Sequence, residues 1–133
     1  MELRPFRSIR YSRAAIEERG LASLIAPPGA DPASVTPENI ARLTSAGDPD
    51  AAAATLADWI ARGILEKERR PGLWNYRQTF VHEGATFVRN ALVGLVRLAE
   101  PSKERLLRLE EPDPAARESA LALLRSLKAD FRP

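Results

Sequence analysis

Apolar and polar positions follow two rhythms along this chain. After Asp48-Pro49, the residues Ala52, Leu56, Trp59 and Ile60 recur at helical spacing, and Gly63 closes the segment. Asp113-Pro114 repeats the start signal before Ala120, Leu121, Leu124 and Leu127, which are expected to face inward. Thr36-Pro37-Glu38 is a third copy, with Ile40 and Leu43 on one face and Gly47 as the stop. In each copy an oxygen-bearing side chain can cap the helix. A proline then occupies the first turn, where its missing N–H costs nothing. Ser12 predicts a shorter helix from Arg13 to Arg19, ended at Gly20 by a left-handed residue.

Period-two alternation marks the strands. From Leu73 to His82 the even positions Trp74, Tyr76, Gln78, Phe80 and His82 face one way, and Asn75, Arg77 and Thr79 the other. Trp74, Tyr76 and Phe80 are expected on the core side. Glu83-Gly84 makes a two-residue hairpin turn. The return strand, Thr86 to Leu98, is apolar on both faces over Ala91 to Val96 and therefore reads as central in a sheet. Gly94 within it suggests a bulge or a close backbone approach. Leu21 to Ala26, Ile64-Leu65-Glu66 and Leu106-Leu107 read as further short strands.

Composition narrows the chemistry. The chain of 133 residues is 44% hydrophobic and 29% charged, a globular balance of single-domain size. It has no cysteine and a single histidine, His82, so disulfides, thiolate zinc sites and cysteine nucleophiles are excluded. No segment reads as a signal peptide or membrane span, and a cytoplasmic location is the expectation. The pI is about 9.4. Yet 20 Lys and Arg face 18 Asp and Glu, and they interleave along the chain, so the sum gives no reason to expect nucleic acid. Lys67-Glu68-Arg69-Arg70, beside Pro71-Gly72, reads as a solvated loop.

Each candidate for chemistry has a plainer reading. His82 beside Glu83 could be an acid–base pair, but turn tips are exposed and strand neighbours face opposite sides. Pro27-Pro28-Gly29-Ala30-Asp31-Pro32 is a rigid loop that could hold a ligand or simply cross over. With one glycine and no following Lys-Ser/Thr, it is not a phosphate loop. Trp59 and Trp74 could stack on a base, but their spacing suits core positions better. Glu110-Glu111 could be paired carboxylates, yet adjacent residues rarely point at one substrate.

Several stretches together carry a resemblance. Met1-Glu2-Leu3-Arg4-Pro5-Phe6-Arg7 leads to Leu24-Ile25-Ala26-Pro27-Pro28. Thr55-Leu56-Ala57-Asp58-Trp59-Ile60 runs on to Gly63-Ile64-Leu65. Trp74-Asn75-Tyr76-Arg77-Gln78-Thr79-Phe80 continues through Gly94-Leu95-Val96-Arg97-Leu98, and Leu123-Leu124-Arg125 leads to Pro133. In this order they resemble the N-terminal part of a bacterial and archaeal family, domain of unknown function 1015. The resemblance implies kinship with archaeal free-serine kinases and a ParB/sulfiredoxin-like fold, in which a compact sheet with surrounding helices binds a nucleotide.

The departures from that family are chemical. Gly29-Ala30 stand where the family has Tyr-Asp, and a family strand is missing around Ser45 to Pro49. The family's Pro-His-Glu-x-Thr motif corresponds to Arg108-Leu109-Glu110-Glu111-Pro112, where only Glu110 survives. A rival alignment sets Lys103-Glu104-Arg105 against it. The later Lys-x-Asp-Arg becomes Arg117-Glu118-Ser119-Ala120. Leucine cannot transfer a proton and proline cannot donate a hydrogen bond.

These readings together predict one α/β (α+β) domain over residues 1–133, a small mixed ParB/sulfiredoxin-like sheet with three to four helices. The expected function is a non-catalytic relic domain that binds a partner or a small ligand, with Pro27, Pro28, Asp31 and Glu110 as ligand-binding candidates. No metal and no cofactor are expected. The alternative is a nucleotide-dependent amino-acid kinase using ATP or ADP with magnesium, through Glu110 and Arg117; a second is a ParB-like DNA-binding module. Longer family members continue past the position of Pro133. A homodimer through the final helix or the hairpin's outer face is therefore expected, with Leu123 off the core face.

Overall fold

The computed structural model describes residues 2–25, 31–44, 47–97 and 113–131. The fold is α+β, with five α-helices and three antiparallel strand pairs among the described residues. The chain groups into two compact units: Met1–Ser8 with Glu68–Leu109, and Ile9–Lys67 with Glu110–Pro133.

The second unit holds the core. Strand β2 (Ile9–Tyr11) pairs with β3 (Leu65–Lys67), Ile9 opposite Lys67. Helix α1 (Arg13–Arg19) starts where the Ser12 hydroxyl accepts from the Ala15 N–H, and Gly20 ends it at φ +76°. Helix α4 (Pro49–Ala61) is capped by Asp48, whose carboxylate accepts from the N–H groups of Asp50 and Ala51. Gly63 follows at φ +71°. Helix α5 (Pro114–Leu127) is capped in the same way by Asp113. Ala15, Leu43, Ala52, Leu56, Trp59, Ile64, Leu65 and Leu127 are buried together. The Ser126 hydroxyl donates to Asp50 at 3.0 Å and ties α5 to α4.

Several expectations are corrected in this unit. Leu21 to Ala26 is not a strand over its described residues. Helix α2 (Leu21–Leu24) forms there, with Leu24 buried and the Ser23 hydroxyl donating to Arg19 and Gly20 carbonyls. A six-residue apolar run has no period that separates strand from buried helix. Thr36 does not cap a helix: its hydroxyl donates to the Ser23 carbonyl, and Pro37-Glu38 form a turn. Helix α3 (Ala41–Thr44) begins later, after Asn39, whose side-chain oxygen accepts from the Ala41 N–H. Ile60 is 38% and Leu124 44% exposed, whereas Leu123 packs against the core, the reverse of its expected placement.

The first unit is built on a hairpin. Strand β1 (Leu3–Arg4) pairs with β6 (Leu95–Val96), and Phe6 bridges to Gly72. Strand β4 (Trp74–His82) pairs with β5 (Ala85–Val93) along its whole length, Trp74 opposite Val93 and His82 opposite Ala85. The turn holds Glu83 at φ 49° and Gly84 at φ 78°, the two positive values a primed two-residue turn needs. Gly94 is a close approach, as its sequence position suggests. A Cβ there would lie 2.7 Å from Leu73 Cδ2 and 2.9 Å from Leu3 Cδ1. Strand β5 is not central, however: among the described residues it pairs only with β4, and most of it is exposed. Tyr76, expected on the core side, is 51% exposed. No described residue of this unit is buried. Leu106-Leu107 lie outside the described residues.

Candidate functional site

A feature that could receive a ligand lies in the second unit. A half-open groove of about 520 Å³ runs along α5, bounded by Leu43 and Thr44 of α3 and by Ala129, Asp130 and Phe131 beyond the helix. Its volume falls in the range of small-molecule sites. The floor is apolar, made by Leu43, Ala120, Leu121, Leu123 and Leu127. Polar groups are few, with Thr44, Arg117 and Asp130 at the walls. The helical repeat explains the arrangement. Ala116, Ala120, Leu123 and Leu127 follow one another at three- and four-residue steps, so the small residues of α5 leave space that the leucines line.

Arg117 lies along this wall and is exposed. It makes no ion pair among the described residues. Asp31 does not line the groove. Its carboxylate accepts from the Ala33 N–H at 2.9 Å and caps the short 3-10 turn Pro32–Ser34. Pro27, Pro28 and Glu110 lie outside the described residues, so Arg117 is the one of these candidates found at the groove. His82 and Glu83 approach to 3.9 Å at the hairpin tip, where both side chains are exposed. Among the described residues no three His, Cys, Asp or Glu side chains converge as metal ligands.

A second polar cluster in this unit escaped the sequence reading. The Tyr11 hydroxyl donates to the carbonyls of Glu38 at 2.7 Å and Leu24 at 3.2 Å. Burial, and then the Glu38 charge, push its pKa up to about 12. The Glu38 carboxylate lies 3.2 Å from Arg62 and 3.6 Å from Arg19. Arg62 also meets Asp58 at 3.0 Å, and that hydrogen bond, ahead of Glu38, holds the guanidinium further in its charged form. Buried Asn39 donates to the Ser23 carbonyl. Each group has its partner, so the cluster pins the turn at residues 36–39 to α2. These pairings join residues up to 27 positions apart, and no local spacing announces them.

The family described as Protein of unknown function (DUF1015) matches residues 3–133. The chain belongs to that family. No curated protein and no solved structure matches this DUF1015 chain. Among its described residues, no helix is long and apolar enough to cross a membrane.

Proposed function

We propose that this DUF1015 chain is a non-catalytic binding module whose α5 groove receives a small amphipathic molecule, an apolar body with an anionic end. The carrying observation is the groove lining: leucine and alanine below, and the exposed Arg117 guanidinium on the wall. Burial of apolar surface would supply the attraction, and Arg117 would orient the charged end. Leu109 and Pro112, at the family's proton-transfer and hydroxyl positions, support a loss of catalysis, and the ParB/sulfiredoxin-like ancestry belongs to the same reading.

The test uses 1-anilinonaphthalene-8-sulfonate, an apolar ring system with one sulfonate. Its fluorescence should rise on binding. Arg117→Ala should weaken the affinity and Leu121→Glu abolish it, with far-UV circular dichroism unchanged. Equal binding by all three proteins would place the dye elsewhere and refute the groove. ATP or ADP with magnesium should leave the melting temperature unmoved; a rise of several degrees, lost in Glu110→Ala, would overturn this reading and favour the kinase. The expected homodimer bears on the same surface through exposed Leu124. A particle of twice 14.7 kDa in sedimentation, dissociated by Leu124→Glu, would reassign the groove to a second copy.

A further inference from the structure

Charges that interleave along the sequence separate in the fold. Among the described residues, the unit of Met1–Ser8 with Glu68–Leu109 carries seven Arg against three Glu, a net +4. The other unit carries nine Lys and Arg against eleven Asp and Glu, a net −2. Glu2 is occupied by Arg4 at 2.8 Å and Arg97 at 3.7 Å. Arg69, Arg70 and Arg77 make no ion pair among the described residues, and Arg69 and Arg70 are exposed beside the base of the hairpin.

The hairpin itself is asymmetric. Pleating and register place Trp74, Tyr76, Gln78, Phe80 and His82 on one face with Arg89 and Phe87. Phe80 and Phe87 are directly opposite and stacked, their centroids 5.7 Å apart. The Arg89 guanidinium lies 5.6 Å from the Phe80 centroid, and the His82 ring 6.4 Å from that of Phe87. Tyr76 is 51% and Phe87 46% exposed. The opposite face carries Val81, Val88 and Leu92 among polar residues, with no aromatic ring. One face of a basic unit is thus a strip of rings, of which Tyr76 and Phe87 are open and Trp74 and Phe80 half-buried, interrupted by a guanidinium and an amide.

We infer that the aromatic face of the β4–β5 hairpin is a binding platform for single-stranded nucleic acid. The chemistry this face selects is an anionic backbone that also presents flat rings. Bases stack on Tyr76 and Phe87 without regard to sequence, while Arg89 on the same face neutralises phosphate. A second copy of the chain fits this face less well, because it would bring two units of net +4 together. This site is separate from the α5 groove and does not depend on it.

The experiment measures fluorescence anisotropy of a labelled twelve-nucleotide oligo-dT and an oligo-U of the same length, with the full chain. Both should bind at 50 mM salt and weaken steeply as salt rises. Tyr76→Ala and Phe87→Ala should each lower the affinity by roughly 5- to 100-fold, the effect of losing one stacked base. Phe87→Trp, which keeps a stacking ring, should bind like the parent, so a loss caused by misfolding is told apart from a loss of stacking. Arg89→Ala, on the same face as the rings, should flatten the salt dependence. Inorganic polyphosphate should compete poorly. Absence of binding at low salt overturns the inference. So does binding that polyphosphate matches and the ring variants leave intact, since that is charge alone. If Phe87→Ala instead changes the sedimentation of the free protein, the face belongs to a second copy.

Discussion

Tyr11 shows how much one side chain organises. Its hydroxyl satisfies two carbonyls on separate segments, at Leu24 and Glu38, and its ring lies 6.4 Å from that of Trp59 against the core. Removing it in Tyr11→Phe leaves the Glu38 carbonyl short of a donor, while the Leu24 carbonyl keeps the Ile40 N–H, at a cost of about 1–3 kcal/mol near neutral pH. The raised pKa adds a pH signature. Folding favours the neutral phenol, so its contribution is fully present below pH 10, the ordinary tyrosine value, and is lost as pH rises towards about 12. Urea unfolding at pH 8 and pH 11 should therefore show a larger loss in the parent than in Tyr11→Phe. Equal losses in the two proteins would remove Tyr11 as the titrating group. At Gly94 the constraint is space: the leucines at positions 3 and 73 fill the place of a side chain.

Among the elements, the three Thr/Asp-Pro starts had different fates, and the difference is measurable. Asp48 and Asp113 accept from their own helices, so Asp48→Ala and Asp113→Ala should each cost about 1 kcal/mol and lower the melting temperature. Thr36→Ala should act differently, by removing one of the two donors to the Ser23 carbonyl and loosening the turn against α2 rather than by shortening α3. A helix loss in Thr36→Ala that matches Asp48→Ala would contradict this assignment. The hairpin makes a similar point. Its alternation is as the sequence reads, yet Phe80 is only half-buried and leans on Phe87 rather than on a core. Phe80→Ala should accordingly cost well under the ~3–5 kcal/mol of a fully buried ring.

For the molecule as a whole, stability should be uneven. Every buried hydrophobic residue among those described belongs to the unit of Ile9–Lys67 with Glu110–Pro133. The hairpin unit has strand pairing and half-buried side chains, and an isolated two-stranded hairpin is marginal in water. Native-state hydrogen exchange should find the amides of Leu56 and Trp59 in α4 among the slowest, and those at the hairpin tip opening at far lower free energy. Similar protection at both places would be the contrary result. Binding of an oligonucleotide to the aromatic face should selectively slow the hairpin amides, and a sulfonate dye in the groove those of α5.

Local signals carried a large part of this protein. Asp-Pro caps, Gly20 and Gly63 at positive φ, the Glu83-Gly84 turn and the alternation from Trp74 to His82 are all decided within a few residues, because capping, left-handed backbone and pleating are local. The family, too, was legible from the order of its motifs. What the sequence could not settle depends on contacts between distant segments. Leu21–Leu24 became helical, Thr36 turned to Ser23, and Leu123 rather than Leu124 met the core. Glu38 found Arg19 and Arg62. An apolar run in β5 stayed at the surface, since burial depends on which strands pair and not on hydrophobicity alone. Only the tertiary structure lined α5 with a groove, and only it sorted an evenly interleaved set of charges into one basic and one acidic unit, because a chain that folds back on itself gathers residues without regard to their order.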